Sequence, residues 1–397
     1  MICLIDNNRS LLRRLALGLM LMFTAMTGRG QALPTDGPLT IDPSLQKLAE
    51  RLLQNKQGSI VAIDPATGGI LALASHDRVS DGTFRAIGAA YSPGSTFKAA
   101  QTLEMVSEGT LTPGTSYSCH KGFYFNKIHI GCHEHKSPLT LVQAIGQSCN
   151  SYFCKAFQEM IDNREHYLTK YKAINRWAKY MHSFGLGRPL GIDMPGEVGG
   201  CIPDSAYLNL THRAWNGTTI MWVGMGQGEV KCTPLQLCNL AAMIANRGYF
   251  YTPHIHQGTA ERPLDSLYLV RHQALTTPEA MDLVIEGMHA CTVNGTAASI
   301  HNKQYRFCGK TGTAENTGDD HSIFIGFAPM DTPVIAVSVY VENGGFGADL
   351  AAPLAALMME QKLNCRLSAA SEARARKWGN KTVKVTPVEI PINFDDL

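Results

Sequence analysis

An α+β architecture is what this sequence predicts: one antiparallel sheet built from the two ends of the chain, sandwiched by helices, with a long helical insertion between them. Two observations carry that expectation. Paired short apolar runs flank turn clusters near both ends, at residues 60–63 with 70–73 and at 323–327 with 334–341. Between roughly 110 and 300 the pattern reads mostly as helices and loops.

Residues 33–41 form a polar linker containing Pro and Gly. Residues 43–54 follow, with Leu45, Leu48, Leu52 and Leu53 on one helical face. The turn of the first hairpin is Asp64-Pro65-Ala66-Thr67-Gly68-Gly69. Ser92-Pro93-Gly94 breaks the chain before a helix that runs to about Glu108. The second hairpin turns through residues 328–333, and residues 350–363 form an amphipathic closing helix. After Cys365 the composition becomes polar and aperiodic, so residues 366–397 are expected to be a weakly ordered tail. The main domain spans 33–365.

The chain has 397 residues, 45% hydrophobic and 17% charged, enough apolar material for a sizeable core. A net charge of +2 gives no global field that calls for nucleic acid or an acidic polymer. The one basic cluster, at 374–377, reads as a solvated helix end. Arg9, Arg13 and Arg14 precede the apolar run 15–26, and Gly30-Gln31-Ala32 follows. That is the order of a secretory signal, with a short retained anchor as the alternative for residues 1–32. Either way the bulk of the chain is expected in the periplasm. Eleven cysteines leave at least one unpaired and define no connectivity. Several are expected to be small buried apolar residues.

Three short strings carry chemistry. In Ser95-Thr96-Phe97-Lys98, a lysine three residues along a helix faces the serine hydroxyl. If desolvated, Lys98 becomes a neutral amine able to take the proton of Ser95, the nucleophile. The Pro-Gly break puts Ser95 at a helix start, where backbone N–H groups favour an oxyanion. In Ser148-Cys149-Asn150, the hydroxyl is placed to relay a proton and the amide to hold a carbonyl. Lys310-Thr311-Gly312-Thr313 reads as an edge strand whose glycine lets a peptide lie close, with Lys310, Thr311 and Thr313 for a carboxylate. Each string alone is weak. Together and in this order they are the known joint signature of β-lactamases and penicillin-binding proteins.

Residues 38–363 resemble the transpeptidase domain of class B penicillin-binding proteins of the elongation type. Besides the three strings, the matching stretches are 38–46, Phe184-Gly185-Leu186-Gly187, Gly226-Gln227-Gly228-Glu229 and Thr233-Pro234-Leu235-Gln236. The resemblance implies a penicillin-binding/β-lactamase-like transpeptidase fold and a peptidoglycan D,D-transpeptidase acting through a Ser95 acyl-enzyme. Lys98 is then the base, Ser148 the relay and Asn150 its neighbour; Lys310, Thr311, Gly312 and Thr313 take the terminal carboxylate. Thr313 and Ser95 supply the oxyanion amides. Stem peptides, β-lactam antibiotics and cell-wall elongation proteins are the implied partners, with no nucleic acid and no catalytic cofactor. The gap of 162 residues from Ser148 to Lys310 exceeds that usual in compact β-lactamases. Water in place of an amine makes the same residues a D,D-carboxypeptidase or β-lactamase, and a non-catalytic β-lactam sensor or fragment is the remaining alternative. Such relatives place a pedestal domain ahead of catalysis, whereas here the segment 27–38 leads straight into the match, which leaves membership of an elongation complex open.

Cys119-His120 and Cys132-His133-Glu134-His135 gather potential ligands. Cys119, Cys132, His133 and His135 could close a structural zinc site, and a Cys119–Cys132 disulfide is the alternative. Some relatives carry zinc between the first and second strings. Cys149 is expected to be an inert buried thiol and His321 a structural histidine.

Overall fold

The structure, a computed structural model, describes residues 33–386 apart from 35–36, 80, 126–127 and 317. The leader expected at 1–32 lies outside these residues. Among those described, no helix is long and apolar enough to cross a membrane.

Five strands make the central antiparallel sheet: β1 (Gly58–Ile63), β2 (Ile70–His76), β3 (Cys308–Ala314), β4 (His321–Ala328) and β5 (Ile335–Val341). Their spatial order is β2-β1-β5-β4-β3. Ile60 pairs with Val339, and Val339 pairs on its other side with Phe324. The two chain ends thus join through β5, as the paired runs predict, and β3 is left as an edge. Every residue of β1 and β5 is buried. Both faces are covered, which is why these strands read as continuous apolar runs rather than alternating ones.

One face carries Ile60, Ala62, Val337 and Val339 against α1 (Pro43–Leu53) and α6 (Ala351–Asn364). The other carries Val61, Ile63, Ala336 and Tyr340 against α4 (Pro234–Ala245). Helix α1 starts where the Asp42 carboxylate accepts from the Ser44 and Leu45 amides, with Pro43 in its first turn. Its four leucines are buried, each contributing about 1.5–3 kcal/mol. Thr233 and Gln236 form a reciprocal capping box on α4. Along the chain between β2 and β3 come, among others, α2 (Lys98–Ser107), α3 (Asn150–Asp162) and α5 (Pro278–Val293).

The insertion is less purely helical than expected. Gly122–Phe125 pairs with Ile128–Gly131, Ser116–Tyr117 with Leu139–Thr140, and Tyr249–Tyr251 with Arg271–Gln273. Strands of two to four residues are too short for a period-2 pattern to register.

The expectation of a weakly ordered tail over 366–397 is corrected for its first half. Helix α7 (Ala369–Asn380) docks on α1, and residues 387–397 lie outside the described chain. Its buried residues are Ser371, Ala375 and Gly379, one per turn. A face of such small side chains has no hydrophobic periodicity to detect. Lys56, fully buried, donates to the Trp378 carbonyl at 2.6 Å, and Arg51 pairs with Glu372 at 2.7 Å.

Candidate active site

Ser95 sits in a single 3-10 turn, Gly94–Phe97, that runs directly into α2 at Lys98. Two chain segments hold this turn. Gly94 adopts φ +53° and donates its N–H to the Gly226 carbonyl at 2.8 Å. A side chain at Gly94 would meet the Thr313 carbonyl at 2.4 Å, and one at Gly312 would meet Thr96 at 2.8 Å. Glycine is therefore required on both sides of the contact between the nucleophile turn and edge strand β3.

Lys98 is completely buried. Its Nζ lies 3.0 Å from Ser95 Oγ, 2.8 Å from the Ser148 carbonyl, 3.3 Å from Ser148 Oγ and 2.6 Å from Asn150 Oδ1. Burial, reinforced by the nearby Lys310 charge, pulls the amine down to about 7. Lys310 is equally buried, and burial pulls it down to about 8. Its Nζ lies 2.7 Å from Ser148 Oγ. The Ser148 hydroxyl thus stands between two ammonium groups that burial makes easy to deprotonate. Ser148 holds φ +53°, a strained conformation for serine that turns its hydroxyl and its carbonyl toward Lys98.

Ser95, Ser148 and Asn150 line one cleft of about 550 Å³ together with Thr311, Gly312 and Thr313, and the two lysines stand buried behind that lining. Ser95, Lys98, Ser148, Asn150 and Lys310 are therefore brought together as the strings imply. Thr296 was not singled out; its hydroxyl lies 2.6 Å from that of Thr311. It follows α5 by three residues and has no local signal of its own. Gln227 of the Gly226–Glu229 stretch also lines the cleft. His321 is structural, its Nδ1 accepting from the Asn343 N–H at 3.0 Å.

The proposed ligand set changes by one residue. Cys119, Cys132, His135 and Cys149 place their donor atoms within 4.8 Å of one another, while His133 instead lines the cleft. The ring of His133 is turned toward His135, 5.3 Å between centroids, outside the cluster. Cys149 replaces it because α3 begins there and points the thiol at Cys132, 4.0 Å away. Four ligands on a zinc ion at 2.3 Å would stand about 3.8 Å apart, so the cluster fits a tetrahedral site. His135 Nδ1 lies 2.7 Å from the Lys136 carbonyl, which leaves Nε2 facing Cys132 at 3.5 Å. The hydrogen bond it shares with Cys149 holds the Cys132 thiol below the ordinary range. Cys119 and Cys132 are free thiols, not bridged.

A lysine amine within reach of one serine hydroxyl, with a second serine hydroxyl between two lysines, is the arrangement seen in active-site-serine penicillin-binding proteins and β-lactamases. The model of the penicillin binding protein transpeptidase domain matches residues 58–360, and the chain belongs to that family. It is 29% identical over 386 residues to the peptidoglycan D,D-transpeptidase MrdA of Acinetobacter baumannii, covering 82% of this chain and 54% of that protein. The MrdA of Haemophilus influenzae is also 29% identical, covering 83% and 56%. The chain therefore spans about half the length of these relatives. Among solved structures, Pseudomonas aeruginosa PBP2 in complex with WCK 5153 superposes with a TM-score of 0.73 at 29% identity, covering 84% of this chain and 77% of that one.

Proposed function

We propose that this protein is a peptidoglycan D,D-transpeptidase that acts through a Ser95 acyl-enzyme. The observation that carries the reading is the fully buried Lys98 amine, 3.0 Å from Ser95 Oγ and lowered to about 7. Lys98 takes the hydroxyl proton as Ser95 Oγ attacks the carbonyl between the last two D-alanines of a stem peptide. Amides of Ser95 and Thr313 hold the oxyanion. Lys310, with the hydroxyls of Thr311 and Thr313, binds the terminal carboxylate. The proton passes by way of Ser148 to the leaving nitrogen, D-alanine departs, and an ester remains on Ser95. An amine of a second stem then attacks the ester, and its proton returns to Ser95 Oγ.

A β-lactam presents its strained amide to the same groups and leaves Ser95 acylated. The MrdA relatives, peptidoglycan D,D-transpeptidases by name, support peptidoglycan as substrate, and with it an exported location, because that polymer lies outside the cytoplasmic membrane. A 26% identical relative solved in a peptidoglycan synthase complex supports cell-wall proteins as partners. A zinc ion on Cys119, Cys132, His135 and Cys149 would tie residues 119–135 to the start of α3, beside Ser148 and Asn150. Its contribution there would be structural.

The test is labelling of the full chain with a fluorescent penicillin beside Ser95→Ala. A long-lived label that the variant loses supports the transpeptidase. A label shed within seconds, with hydrolysed drug, means a β-lactamase. No label on folded protein overturns the Ser95 assignment.

A further inference from the structure

Two consecutive residues at the end of β5 connect the opposite walls of the cleft from behind. Glu342 is a largely buried carboxylate, its side chain 14% exposed, and three side chains converge on it. Arg85 Nε donates to Oε1 at 2.8 Å, the Tyr91 hydroxyl donates to the same oxygen at 2.6 Å, and Gln57 Nε2 donates to Oε2 at 2.8 Å. Tyr91 lies four residues before the nucleophile. Its backbone pairs with Cys232 in both directions, and its ring stacks on Tyr340 with centroids 4.4 Å apart. The Tyr340 hydroxyl donates to the Ser92 carbonyl at 3.2 Å. From Glu342, a continuous set of bonds and ring contacts therefore reaches the segment that delivers Ser95.

Asn343 faces the other wall. It holds φ +54°, a conformation asparagine tolerates better than most residues, and is 5% exposed. Its Nδ2 donates to the Asp319 carbonyl at 2.8 Å and its N–H to His321 Nδ1 at 3.0 Å. Both acceptors belong to the turn that follows edge strand β3 and starts β4. Its Oδ1 accepts from the Thr386 N–H at 3.2 Å, which ties in the C-terminal segment.

We propose that Glu342 and Asn343 are positioning residues that together set the separation between Ser95 and the Thr311–Thr313 wall. Neither touches the cleft. This rests on the Ser95 reading and deepens it. A carboxylate with three donors and an asparagine with three partners, adjacent in sequence, make the two walls move as one body. Reaction at Ser95 is sensitive to that distance, since a misplacement of about 1 Å costs about a hundredfold in rate.

Saturation kinetics of β-lactam acylation on the full chain tests it by separating the limiting acylation rate from the apparent dissociation constant. Glu342→Gln retains the shape but turns an amide N–H toward donors. Asn343→Gly retains the positive φ and removes both side-chain bonds. Each is expected to lower the limiting rate about tenfold to a hundredfold while the dissociation constant holds. Asp81→Asn, which weakens Arg85 on the side away from Glu342, is the control: it should lower the thermal midpoint and leave the rate alone. If Glu342→Gln does not fold, Tyr91→Phe removes only the hydroxyl and should move the rate the same way. Folded variants that acylate at the wild-type rate, or an Asp81→Asn loss equal to theirs, overturn the proposal. Absence of label on the wild type would instead overturn the Ser95 reading.

Discussion

The floor of the cleft and the thiol cluster at its flank lie one residue apart, at Ser148 and Cys149, yet they are held in different ways. Lys98 and Lys310 stand on a helix and a strand of the central framework, fully buried and oriented by several partners each. The cluster draws Cys119, Cys132 and His135 from irregular chain around a short hairpin, and only Cys149 adjoins a helix, as the cap of α3. Packing preorganises the first region. The second has little packing of its own, and its thiols are arranged as a metal would arrange them. Residues proposed to act at a defined distance sit on the packed framework, and the loop beside it carries the cluster proposed to hold a metal.

The comparison predicts opposite behaviour on mutation. Lys98→Ala should cut acylation by about 10²–10⁴-fold, the range of a general base, while the thermal midpoint holds because a desolvated amine is removed from the core. Fluorescent-penicillin kinetics and calorimetry read the two effects separately. Gly312→Val, which pushes a side chain against Thr96 and the Pro93 carbonyl, should slow acylation about tenfold to a hundredfold by widening the cleft. At the cluster the order reverses. Cys149→Ser or His135→Ala should abolish stoichiometric zinc in elemental analysis and lower the midpoint, with acylation reduced less. His133→Ala should keep the zinc. A zinc-free wild type purified under reducing conditions would end the idea of a metal there.

A smaller effect sharpens the role of the floor. Below about pH 7 Lys98 is protonated and has no lone pair for the Ser95 proton; above it the amine is free. Acylation should therefore rise with pH and level off beyond about 7, about tenfold per unit on the acid limb. A flat profile from pH 5 to 9 would exclude Lys98 as base. The smallest change is expected at the periphery. Arg51→Ala breaks a half-exposed pair with Glu372, so the loss of stability should stay under about 1 kcal/mol, with acylation unchanged.

Much of this protein was legible in its residues because the signals are local. The two hairpins are marked by apolar β-branched runs around turn clusters, and α1 by its leucines on one face. Ser95 and Lys98 are three residues apart on one turn, so their encounter follows from helical geometry alone. Three of the cluster's four members were legible, since Cys119, Cys132 and His135 are near in sequence. The place of Cys149 was not, because it depends on where α3 begins. Helix α7 escaped notice because its docking face is made of Ser371, Ala375 and Gly379, which carry no hydrophobic pattern.

By itself, then, the sequence determined the α+β class, the order of the three strings and the chemistry each can perform. Only the tertiary structure decided that Lys98 and Lys310 share one serine hydroxyl, that Cys149 displaces His133, and that Glu342 and Asn343 reach opposite walls of the cleft. Those outcomes join residues from 17 to 285 positions apart. Contacts at that range arise from burial and sheet register, whose effects on distance and protonation no local pattern encodes.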